Sequence, residues 1–240
     1  VTTETSPLAE PTTLEPFAED LWTVTRKQRF FGLETGTRMT VARLEGGGLF
    51  VHAPVSLDEA TRRAIDALGE VRAVVAPSLF HHLYVGEWMR AYPKAVFAPC
   101  PGLRDKRADL TWGPTLGDAP LDVWASTLDQ APFTARFERE VVFYHRRSKT
   151  FVCADALIHL STHESAATRL VASLMRNTGP GKGWVERFAV RDHGLGRAQV
   201  ERILSWDIEG LVLAHGALVP RGGHAAIRDA YRWLLPEGRA

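Results

Sequence analysis

The chain has 240 residues, 45% of them hydrophobic and 24% charged, which supplies a sizeable core and the balance of an ordinary globular protein. Its 29 Lys and Arg nearly cancel 28 Asp and Glu, so composition predicts neither a nucleic-acid nor a membrane-surface partner. Two cysteines, Cys100 and Cys153, are too few for a disulfide framework and read as buried thiols in apolar runs.

No apolar run approaches the roughly 18 residues of a membrane span, and no charged-then-apolar leader opens the chain; a cytoplasmic protein is the expectation. Residues 1–16, rich in Thr, Pro and Glu, read as a flexible arm. Residues 17–240 read as one domain without internal sequence repeats. "LWTVT", "RMTVARL" and "GLFVHAPV" are strands, the last two joined by the turn "EGGG". "SLDEATRRAIDALG" is a helix that Ser56 caps, with Glu59 closing a capping box and Gly69 ending it. "VRAVVAP" follows as a strand buried on both faces, then a helix in "GEWMRAY" and a strand in "KAVFAP". That β-α-β-α-β run favours a layered α/β fold. Residues 102–120 are loop-like. "DVWAST", "FTARFEREVVFYH" and "TFVCAD" restore strand character, the last two forming a hairpin about "RRSK". Helices in "SAATRLVASLMRNTG" and "GRAQVERILSW", a strand in "GLVLAHG" and a helix in "AAIRDAYRWLLP" complete the chain.

Functional groups in open α/β sheets gather beyond the carboxyl ends of strands. Three strand ends here carry metal-capable side chains: His81 and His82 after "RAVVAPSLF", Asp155 after "TFVCA", and His215 after "LVLA". Imidazoles with a carboxylate suit zinc, or iron or manganese where more oxygen joins. Adjacent histidines inside a strand would face opposite ways, but in the turn after it both can serve one centre.

This layout resembles the metallo-β-lactamase superfamily, whose sites combine a His-x-His-x-Asp-His turn, a mid-chain histidine, a strand-end Asp and a late histidine before glycine. "LVLAHG" matches the late motif at His215, and "TFVCADAL" matches the Asp strand at Asp155, with Ala154 for the usual glycine. In "PSLFHHLYVG", Pro77 and Leu79 stand where the first two histidines belong; His81 replaces the Asp, and His82 keeps the last histidine. Phe137 falls near the place of the mid-chain histidine. The wording "P-x-x-x-HH…EW", "EVVFYHRRSKTFVCAD" and "AHG" is similar to an uncharacterised bacterial branch of the superfamily. The resemblance implies a four-layer αββα sandwich in which the all-histidine half of a two-metal site is erased. It implies one divalent metal on His81, His82, Asp155 and His215.

The hairpin adds its own expectation. With "RRSK" as the turn, His145 pairs with Thr150 and Asp155 lies opposite Glu140, with Glu138 further along the same face and His145 at the far end. Two neighbouring carboxylates can both bind metal, or one can act as acid or base; the bland alternative for Glu140 is an ion pair with an arginine. His159 and His163 have the i, i+4 spacing of a metal pair, but a helix start at Ser161 and Thr162 makes them a loop over the site mouth. "GPGKGW" lacks phosphate-loop spacing, and Arg191 to His193 read as solvated surface.

Two functions follow. The first is a metal-dependent hydrolase of a small ester, lactone or phosphoester, with Asp155 or Glu140 steering or deprotonating water. The second is a non-catalytic member of the fold, with a structural metal or none, that binds a ligand or partner.

Overall fold

The computed structural model describes residues 14–134, 139–181, 183–185, 188 and 190–236. Phe137 and Glu138, singled out above, lie outside the described residues, as do residues 1–13. The first sheet has six strands in the order β1-β2-β5-β6-β7-β8: β1 (Glu15–Ala18), β2 (Leu21–Arg26), β5 (Thr37–Arg43), β6 (Leu49–His52), β7 (Val71–Ala76) and β8 (Val96–Pro99). Its β1 takes Glu15 and Pro16 into the sheet edge, so the expected arm overlaps the first strand by two residues. The small hairpin β3 (Arg29–Phe30) and β4 (Leu33–Glu34) projects between β2 and β5. The second sheet runs β12-β11-β10-β9, with β9 (Leu128–Phe133), β10 (Glu140–His145), β11 (Thr150–Cys153) and β12 (Gly210–Leu213).

Strands β6, β10, β11 and β12 are buried at every position, because each sheet is covered on both faces. Phe50, Val75 and Trp124 meet Phe143, Val152 and Val212 between the sheets. Outside the first sheet, Val41, Val51 and Val74 pack with Ile65 of α1 (Glu59–Leu68), Trp88 of α2 (Val85–Ala91) and Leu103 of α3 (Leu103–Lys106). Outside the second, Val142, Phe151 and Leu211 pack with Ile203 and Tyr231. α4 (Ala166–Leu174) precedes the two helices carrying these residues, α5 (His193–Leu204) and α6 (Gly223–Tyr231). Three cores between four layers make the αββα sandwich that the resemblance implied. Among the described residues no helix is long and apolar enough to cross a membrane.

Three local expectations change. The cap of α1 is Asp58, not Ser56: its Oδ1 accepts from the Thr61 N–H at 2.7 Å. "DVWAST" is a coil of turns, in which Trp124 and Ala125 both donate to the Leu121 carbonyl. This coil drops Trp124 into the inter-sheet core with its indole N–H on Gln130. Helix α4 stops at Leu174, short of Gly179, where Arg176 takes a left-handed φ of 57°. The hairpin register holds, with His145 opposite Thr150, but the ladder ends at Phe143 and Val152.

Candidate metal centre

Beyond the ends of β7, β11 and β12, three side chains converge. His81 Nε2 lies 3.1 Å from His215 Nε2 and 3.4 Å from Asp155 Oδ1, and His215 Nε2 lies 3.6 Å from the same oxygen. Their side chains are 8%, 15% and 13% exposed, so the group is nearly enclosed yet reachable.

The loop after β7 delivers His81 by way of Ser78. This buried hydroxyl accepts from the N–H groups of Phe80 (3.2 Å) and His81 (3.3 Å), closing a turn as serine side chains do. The same hydroxyl donates to Asp155 Oδ2 at 2.8 Å. One residue thus shapes the loop and orients the carboxylate, leaving Oδ1 toward the imidazoles. His215 is oriented from behind: its Nδ1 lies 2.7 Å from the Gly36 carbonyl. A carbonyl only accepts, so Nδ1 carries the proton and Nε2 presents its lone pair. The glycine after it is obligatory. Gly216 has φ +83°, and a Cβ there would lie 1.9 Å from the His159 carbonyl oxygen, which closes the segment holding His159 against the His215 turn.

The other expected residues sit elsewhere. His82 is buried but turns away from the group: Arg107 Nη1 donates to its Nδ1 at 3.1 Å. A guanidinium has no acceptor, so that nitrogen's lone pair is occupied and its partner nitrogen carries the proton. Burial, reinforced by Lys106 and Arg107, lowers the His82 pKa to about 4. Glu140 is fully buried and does approach Asp155, but through the main chain. Its two oxygens accept from the N–H groups of Ala154 (2.6 Å) and Asp155 (2.9 Å). It therefore holds the turn that carries Asp155 instead of standing beside it as a second open carboxylate. His145 lies at the opposite end, bonded to Ser148, as the hairpin implied. His163 accepts from the Ser165 N–H, and Asp192 caps α5.

For Asp155, burial alone would raise the pKa; the neighbouring His81 and His215 outweigh it and hold the carboxyl well below the usual range. An ionised carboxylate and two imidazoles form a set of metal donors. Their separations also fit: a tetrahedral ion with bonds of about 2.0–2.1 Å keeps its ligand atoms about 3.3–3.4 Å apart. The roles of Ser78 and Gly36 are not legible in the sequence, because they act across the fold on Asp155 and His215.

Comparison with solved structures gives the fold its class. The chain has the metallo-β-lactamase fold. It superposes on the metallo-β-lactamase FIM-1 from Pseudomonas aeruginosa in its mono-zinc form with a TM-score of 0.64 at 12% identity, covering 96% of this chain and 99% of that one. A metallo-β-lactamase from Pontibacter korlensis gives 0.62 at 11%, covering 93% and 98%. The metal-soaked flavodiiron core of Flv1 from Synechocystis sp. PCC6803 gives 0.63 at 12%, covering 93% of this chain and 61% of that one. In sequence, residues 18–102 match a family described as a domain of unknown function (DUF4336). No curated protein matches.

Proposed function

We propose that the protein is a hydrolase of a small molecule, working with one divalent metal ion, zinc by donor type, on His81, Asp155 and His215. The observation that carries this reading is the triangle of donor atoms at 3.1, 3.4 and 3.6 Å. Three protein ligands leave a fourth position open, as catalytic zinc sites do and closed structural sites do not. When bound, such an ion polarises a carbonyl or phosphoryl oxygen and makes water acidic enough to supply hydroxide near neutral pH.

The chain's own part is positional. Ser78 fixes the second oxygen of Asp155, Gly36 fixes the His215 tautomer, and Glu140 fixes the backbone beneath Asp155. Beside His81, Phe80 meets Phe30 edge-on at 5.9 Å, and both rings are partly exposed; this apolar wall suits a substrate with an apolar part next to its ester, lactone or phosphoester. His82 takes no part as a ligand in this reading, because Arg107 occupies it.

Two imidazoles and a carboxylate also accept iron or manganese, so the test is elemental analysis of protein purified without added metal. The expected result is one equivalent of metal, lost in His215→Ala and kept in His82→Ala. A metal-free wild type, or loss in His82→Ala alone, overturns the assignment. Metal uptake without turnover on a panel of esters, lactones and phosphodiesters favours the non-catalytic reading.

A further inference from the structure

His52 is the last residue of β6 and is 1% exposed. Along β6 it shares a face with Phe50, which looks between the sheets, and its ring packs edge-on against Phe143 at 5.5 Å. Its strand runs beside β7, with His52 opposite Val75, three residues before Ser78 and six before His81. Neither ring nitrogen has a hydrogen-bond partner among the described residues. A core position that needed only an apolar ring would not hold an imidazole, because a buried polar atom without a partner is destabilising.

We propose that His52 is a positioning residue of the metal centre, joined through one internal water to the group formed by His81 and Asp155. This rests on the metal reading above. Three observations converge on it. The residue lies at the same carboxyl end of the sandwich as the three donors. Its partner strand β7 runs directly into the Ser78 turn, whose hydroxyl bonds both the His81 N–H and Asp155. It also has unused hydrogen-bonding capacity on the inter-sheet side, and a buried water needs two or more such polar partners to be held. It is not itself one of the donors: the three donor atoms lie within 4.8 Å of one another and His52 is not of their number. Its part is to orient what the donors hold, as hydrogen-bonded partners of metal ligands do.

The test compares zinc affinity, measured by competition with a chromogenic chelator, with the melting temperature of the metal-free protein. His52→Leu removes both nitrogens. The expected result is zinc affinity lower by roughly 10–100-fold, with metal-free stability close to wild type because leucine fills the apolar position between the sheets. His52→Gln, which keeps a hydrogen-bonding end, recovers part of the affinity. Should His52→Leu not fold, His52→Phe makes the same comparison with a ring against Phe143. Equal zinc affinity in wild type and the apolar variants overturns the proposal while leaving the metal reading intact. A wild type that takes up no zinc overturns both.

Discussion

Asp155 depends on two residues that never face Oδ1, the oxygen turned toward the imidazoles. Ser78 takes one carboxylate oxygen, and Glu140 takes the N–H groups of Asp155 and the residue before it. Replacing Glu140 by glutamine keeps its size but turns an NH2 toward one of those N–H donors. Glu140→Gln is therefore expected to lower unfolding free energy by about 1–3 kcal/mol, the cost of leaving a buried donor unpaired, and to weaken metal uptake with it. Urea denaturation and zinc titration of the variant check both, and an unchanged urea midpoint would contradict the role given to Glu140. The strand-end pattern in the sequence was sufficient to bring out His81, Asp155 and His215. It put both adjacent histidines at one centre, whereas only His81 turns inward, because Ser78 holds the turn before them and Arg107, 25 residues after His82, holds that ring.

The secondary elements were most legible where burial on both faces leaves an unbroken apolar run, as in β7, β11 and β12. They were least legible where one large side chain governs the path. Val123 and Trp124 have strand propensity, yet residues 121–127 coil because Trp124 fills the space between the sheets and bonds Gln130; propensity yields to packing there. The start of α1 was displaced by two residues for a related reason. Asp58 caps Thr61 and also receives Arg26 from β2 at 2.8 Å, a tertiary contact that Ser56 lacks. Asp58→Ala should cost about 0.5–2 kcal/mol, the usual worth of such a cap. Thermal unfolding of Asp58→Ala beside Ser56→Ala checks it: the serine variant is expected to melt with the wild type.

The whole molecule carries buried neutral imidazoles, which set its response to acid. Burial lowers His52 to about 3, with His81 adding to the effect and Asp155 opposing it; burial likewise lowers His145 to about 4. Above pH ~6.5 these rings are neutral in both the folded and the unfolded chain and contribute nothing. As pH falls below ~6.5, the unfolded chain binds protons that the folded one refuses. Stability then declines until the folded pKa values are passed, by up to about 1.4 kcal/mol per pH unit for each histidine. Urea midpoints measured from pH 7.5 to 4.5 should fall with acid, and His145→Gln should flatten the decline; a slope unaltered by that substitution would count against it. The layered architecture was readable from the order of strands and helices. The seam between the sheets was not, because it pairs residues far apart in the chain.

That seam has a consequence for inheritance. His81 belongs to the first sheet, while Asp155 and His215 belong to the second, and the two are stitched where the Val141 N–H meets the Pro77 carbonyl at 2.9 Å. The segment that matches a described family, residues 18–102, therefore carries one donor out of three. The match over that segment alone reaches one side of the proposed centre; the other side stands beyond it, at Asp155 and His215.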